Sequence, residues 1–287
     1  MRPTLMDVGL RFDGCGYFTR PIDRMDPRVL EAPDAASWFK LEDLLRNFSQ
    51  GDFSGVSALL ECSRQSHNWR LKGVATQVLG HVGTRDCFVE MRTEMEQHPA
   101  HRGDRFDAEA RELVLLYCRA FANWGRLDVV PVIMDQYLKL RLKGTSEIAL
   151  LPLLMRNLLT DAKGSMIAHE PPEDQIEDYL NLVMNEYDAV VEKLGSDKVH
   201  VFRGAPRSPR RLAEGMRHLE GRSPSMELAR LRALFEPATG IDCTSMFQGG
   251  TARPLEAAAI AEHFLQSQTA AQFEEGARYF FGRPVPD

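Results

Sequence analysis

Little in this chain points to a familiar active centre: it carries no phosphate-binding glycine loop, no G-x-S-x-G elbow, no H-E-x-x-H and no Rossmann glycine pattern. These absences count against the common hydrolases, metalloproteases and nucleotide enzymes. The five cysteines, Cys15, Cys62, Cys87, Cys118 and Cys243, are an odd number, far apart and without a C-x-x-C pair, so they read as reduced, mostly core thiols rather than a disulfide or redox framework. No apolar run approaches a membrane span, and the opening MRPTLMDVGLRFDG places Arg2, Asp7 and Arg11 where a signal peptide needs an unbroken apolar stretch. The expectation is a cytoplasmic chain with no membrane partner. Nor is there an excess of positive charge. A formal net charge of −6 opposes binding that relies on neutralising nucleic-acid phosphates.

What the chain does have is helical periodicity, and it comes in pairs. In SWFKLEDLLRNF, residues Trp38, Leu41, Leu44, Leu45 and Phe48 recur at three- and four-residue steps, with Ser37 placed to cap. Gly51 ends that run, and Phe53, Val56, Leu59 and Leu60 begin another. A second pair spans NWRLKGVATQVLGHVG and TRDCFVEMRTEM across Gly83. The third joins DAEARELVLLYCRAFANWG to DVVPVIMDQYLKL across Gly125. The fourth starts in EIALLPLLMRNLL, kinked or restarted by Pro152, and ends in a long helix with Ile176, Leu180, Val183, Tyr187, Val191 and Leu194 on one stripe. Residues around Gly83 correspond to residues around Gly125 at a shift of 42. A period near that length, built from two antiparallel helices, predicts a helical solenoid.

The stretch WRLKGVATQVLGHVGTRD is more specific. Arg70, Ala75, Leu79, Gly80 and Gly83 resemble the Arg, Ala, Leu-Gly and turn-Gly of a HEAT repeat, and Asp86 suits the start of the following helix. The fold class expected is therefore all-α: a HEAT-like helical-pair solenoid over 37–195, preceded by an irregular lead over 1–36. After Gly195 the composition changes. VHVFRGAPRSPRR reads as an Arg/Pro loop, then three shorter helices open at Ser208-Pro209, Ser223-Pro224 and Arg253-Pro254. The middle helix is expected to stop before Pro237, and the segment 196–287 to form an atypical C-terminal cap over the last apolar face.

Candidate chemistry is sparse. His98 and His101 in HPAH are too few for zinc and are separated by Pro99. Cys87 and Cys118 with His81 could be drawn as a thiol and base, but each sits among apolar helical residues, and a structural role suits them better. No cofactor and no metal is expected. The strongest constellation is electrostatic. Residues 161–200 hold ten acids against three lysines, a local balance of −7, and residues 201–235 hold eight arginines against three glutamates, a local balance of +5. Acids at Glu170, Glu173, Asp174, Glu177 and Asp178 suit the positive end of the long helix and can pair with the basic segment beside them. They can equally form a patch that steers a basic partner. These five are the candidate partner-binding residues. A second candidate surface lies around Glu90, Glu94, Gln136 and Lys139, on the second helices of the pairs.

The C-terminal third carries a family resemblance. LRALFEPATGIDCTSMFQGG, RPLEAAAIAEHFLQS and EEGARYFFGRPVPD are similar to the end of bacterial immunity proteins that accompany polymorphic toxins, most specifically in Thr239-Gly240-Ile241-Asp242 and Tyr279-Phe280-Phe281-Gly282. The resemblance covers roughly residues 228–287 and includes no catalytic motif. It implies a protein that binds a cognate toxin and blocks it without chemistry of its own, a basic toxin such as a nuclease fitting the acidic patch. A general HEAT-repeat scaffold needs only the helical pairs. A nucleic-acid enzyme on such repeats would use Phe202, Arg203, Arg207, Arg210 and Arg211, against the net charge. The aromatic tail reads either as a plug over an open apolar end or as a surface kept for a partner.

Overall fold

The periodic stretches fold as helices. A computed structural model describes residues 33–97, 108–142, 149–161, 164–219 and 224–287. Among them are eleven α-helices and six strands of two residues each. The HPAH histidines, Cys15 and the lead up to residue 32 lie outside the described residues. Contacts gather the chain into two units, one built from residues up to Val82 together with Ser208–Asp287, the other from Gly83–Arg207. The division falls at Gly83, inside the HEAT-like stretch.

In the first unit, α1 (Ala35–Ser49) buries Trp38, Leu41, Leu44 and Phe48 along the expected face. Its cap differs from expectation. The helix begins before Ser37, whose amide donates to Asp34 O, while the Asp34 carboxylate takes the Trp38 indole N–H at 2.9 Å and the Asn68 amide. Helices α2 (Val56–Gln65) and α3 (Trp69–Val82) lie side by side, joined at their buried faces by a 2.8 Å hydrogen bond between Ser63 Oγ and Thr76 Oγ1. Ala75, fully buried, allows the close approach. Asn68 caps α3, its Oδ1 accepting from the Arg70 and Leu71 amides at 3.0 and 3.1 Å.

The same unit contains α9 (Pro209–Arg217), α10 (Pro224–Thr239) and α11 (Pro254–Gln266). Ser208 Oγ caps α9 by accepting from the Arg211 amide. Helix α10 does not stop before Pro237 but runs through it. The missing N–H lies in the last turn, and Gly240, at φ 73°, closes the helix by donating to Glu236 O at 2.9 Å. Within α10 a fully buried Glu236 accepts from Arg232 Nε at 2.9 Å and from the Cys243 amide at 3.1 Å. On α11 the buried face is Ala257, Ala261 and Phe264, while Leu255 is 86% exposed.

In the second unit, α4 (Arg85–Gln97) packs on α5 (Ala108–Trp124) through Phe88, stacked on Trp124 at 4.0 Å. Helix α6 (Val130–Leu142) follows Gly125, at φ 83°. Helix α7 (Leu150–Leu159) carries Pro152 in its first turn, so the proline starts a helix rather than kinking one. Helix α8 (Ile176–Leu194) ends on Gly195, at φ 73°, whose amide returns to Val191 O at 2.8 Å. Its buried stripe is Tyr179, Val183 and Val190; of the six residues expected, only Val183 is fully enclosed.

The Arg/Pro stretch after Gly195 is not a loop. The segment leading into it is hydrogen-bonded antiparallel to the α5–α6 turn through Val199 O, Asp197 O and the Val201 amide. Strands β1 (Val201–Phe202) and β2 (Ala205–Pro206) then pair as a hairpin. Two more hairpins, β3 (Phe247–Gln248) with β4 (Thr251–Ala252) and β5 (Tyr279–Phe280) with β6 (Arg283–Pro284), lie in the first unit. All three turn through two residues at positive φ: Arg203 and Gly204, Gly249 and Gly250, Phe281 and Gly282. That is the requirement of a type I′ turn, whose twist matches the flanking strands.

The tail is a packed element. Phe280 is fully buried and meets Phe48 of α1 edge-on at 6.5 Å, and Tyr279 packs against Phe273 at 4.8 Å. Arg278, 3% exposed, donates to Pro286 O, and the Val285 amide donates to Arg278 O.

Candidate partner-binding site

The five acidic residues singled out in the sequence occupy one short stretch, but the structure treats them differently. Glu173 and Asp174 sit in a single 3-10 turn, Glu173–Gln175, that leads directly into α8, and Glu177 and Asp178 lie in the first turn of that helix. All four side chains are exposed. The helix needs some counterpart there, because its first amides have no partner within the helix and Gln175 supplies no side-chain cap. Four carboxylates at the positive end of the dipole meet that need in part. Among the described residues none of the four has an ion-pair partner.

Glu170 stands apart. It is half-buried and ion-paired with Arg141 of α6, whose other nitrogen donates to Pro171 O at 3.0 Å. That clamp fixes the approach to α8 and takes Glu170 out of the freely available patch. Sequence reading missed the difference because Arg141 lies 29 positions away along the chain.

The basic segment is occupied elsewhere. Arg207, 9% exposed, donates to Asn123 O and Trp124 O and so caps the C-terminal end of α5. Arg210 pairs with Glu214, Arg217 with Glu262 and Arg232 with Glu236, while Arg203 lies over the Phe202 ring. Burial lowers the Arg203 pKa from its ordinary value, with Arg156 adding to the shift and Asp161 opposing it. Five of the segment's eight arginines, Arg203, Arg207, Arg210, Arg217 and Arg232, are thus drawn into local structure, while Arg211 is exposed.

The second candidate surface does not hold together. Gln136 is fully buried, Glu94 accepts from Tyr117 Oη at 2.9 Å, and Lys139 pairs with Asp135 at 2.6 Å. Of that set only Glu90 is exposed, and it too has a partner. Cys62, Cys87, Cys118 and Cys243 are all buried free thiols, and desolvation pushes the Cys118 and Cys243 thiols well above their ordinary range. A nucleophilic cysteine requires the opposite shift. Among the described residues no group of three or more His, Cys, Asp or Glu is arranged to hold a metal ion, and no helix is long and apolar enough to cross a membrane. No family model, no curated protein and no solved structure matches the chain.

Proposed function

We propose that the chain is a bacterial immunity protein that binds a cognate toxin and neutralises it by stoichiometric occlusion, acting in the cytoplasm without catalysis, cofactor, nucleic acid or membrane. Its helical pairs would be HEAT-like, with the C-terminal helices and tail as an atypical unit that shares its compact body with α1–α3. The observation that carries the reading is the exposed quartet Glu173, Asp174, Glu177 and Asp178, held at the start of α8 with no ion-pair partner among the described residues. Like charges gathered on one rigid helix end raise the encounter rate of a basic partner such as a nuclease. The resemblance of the tail to the immunity group supplies the class of partner.

The test is co-expression with the product of the adjacent reading frame. The expected result is relief of its toxicity and a stable stoichiometric complex. Converting the four acids to lysine should slow association by about tenfold or more at low salt and flatten its salt dependence. A neighbouring product that is not toxic, or toxicity that persists on co-expression, overturns the proposal. An unchanged association rate removes the acidic patch from it.

A further inference from the structure

Two of the three type I′ hairpins perform the same task in the same register. In such a two-residue turn the amides of both central residues are left out of the ladder and point outward. At β1–β2 the Arg203 amide donates to Asn157 O at 2.9 Å and the Gly204 amide to Leu158 O at 2.8 Å, the carbonyls two and one before the last residue of α7. At β5–β6 the Phe281 amide donates to Pro237 O at 2.7 Å and the Gly282 amide to Ala238 O at 2.9 Å, again two and one before the last residue of α10. Each turn therefore seats a pair of parallel donors on a helix C-terminus, where carbonyls lack partners and the dipole is negative. A Cβ at the second turn position would face the last carbonyl of the helix in both, at 2.4 Å from Leu159 O and 3.9 Å from Thr239 O.

The third hairpin has the donors but no helix end. Gly249 and Gly250 are exposed, a Cβ on either meets nothing within 4 Å, and among the described residues neither amide has an acceptor. Its base is nonetheless fixed: the Arg253 amide donates to Met246 O at 2.8 Å, and Arg232 lies 5.8 Å from the Phe247 ring. Leu255, three residues along the chain from the end of β4, is 86% exposed, an apolar side chain of the kind a docked helix would cover. We infer that the β3–β4 turn is a docking tooth whose occupant is the C-terminal turn of an α-helix on the partner protein, held by the Gly249 and Gly250 amides. The identity of that partner as the neighbouring toxin rests on the function proposed above.

The experiment uses the full chain and the product of the adjacent reading frame. Gly250→Asn keeps a residue that tolerates positive φ but sets a side chain against the incoming helix end. Gly249→Asn creates the Asn-Gly turn favoured in such hairpins, at the position that Arg203 and Phe281 occupy in the docked ones. Both variants should keep a cooperative melt, Gly249→Asn at the wild-type temperature and Gly250→Asn slightly below it, because a side chain at φ 83° is strained. Gly250→Asn should weaken the complex at least tenfold while Gly249→Asn leaves it unchanged, and hydrogen exchange at Gly249 and Gly250 should slow in the complex. If no complex forms with the wild type, the proposed function fails and takes this inference with it. If a complex forms but Gly250→Asn binds as the wild type does, or the two amides stay unprotected, the docking tooth is overturned and the function stands. Perturbation of those amides by inorganic phosphate alone, with none by the partner, also overturns it and makes the turn an anion site.

Discussion

At the scale of the residue, the informative positions are those whose backbone requirement is set by a distant element. Gly204 must be glycine twice over: its φ is 67°, and a Cβ would fall 2.4 Å from Leu159 O, far inside contact distance. Gly204→Ala should destabilise the second unit by more than about 2 kcal/mol, combining the left-handed penalty with displacement of the turn from α7; chemical denaturation monitored at the unit's tryptophan, Trp124, checks this. Phe281 is the opposite case, a bulky residue at φ 49°. It persists there because its backbone and ring pack within 3.1–3.4 Å of where a Gly240 Cβ would stand, and its amide is bound to α10. That contact gives a physical role to two of the residues that carry the family resemblance, Gly240 and Phe281. The candidate acids were legible one by one, since four of them are charged residues at a helix start and Glu170 lies just before it. Their sorting into four available carboxylates and one clamped by Arg141 was not, because that depends on a pairing between α6 and the approach to α8.

At the scale of the element, long periodic stretches were readable and short ones were not. The helices from Trp38 to Leu194 follow from apolar residues at three- and four-residue steps, a signal that accumulates over ten or more positions. A two-residue strand has no period to detect, so FRGA reads as loop, and QGGT and FFGR give no strand signal, although each centres on a hairpin turn. The tail shows what such a hairpin contributes. Phe280 fills a site against Phe48, and the turn caps α10. Ending the chain at Gly276 removes both, and the expected outcome is a clear fall in melting temperature of the first unit. Phe280→Ala alone should cost about 3–5 kcal/mol. A truncated protein that melts normally yet no longer binds its partner would make the tail a binding surface instead of a plug.

At the scale of the whole molecule, the decisive feature is which stretches share a unit. Helices α1, α2 and α3 belong with α9, α10, α11 and the tail, although 125 residues, Gly83–Arg207, intervene. The second unit is continuous in sequence and the first is not. Residues 83–207 expressed alone should therefore retain helical circular dichroism and a cooperative melt, whereas residues 1–82 alone should not, since Phe48 would lose Phe280. A cooperative melt of the 1–82 fragment would contradict this.

Composition and periodicity alone determined that the chain is helical, that its four described cysteines are core residues and that its charge is polarised into adjacent segments. These properties are local: each is written in residues a few positions apart, and the helix is stabilised over the same range. Only the tertiary structure decided which helices share a core, which carboxylates remain available, and that three glycine-centred turns are hairpins of one kind. Those outcomes depend on contacts across tens to hundreds of residues, where a carbonyl at the end of one helix selects the turn that will cap it.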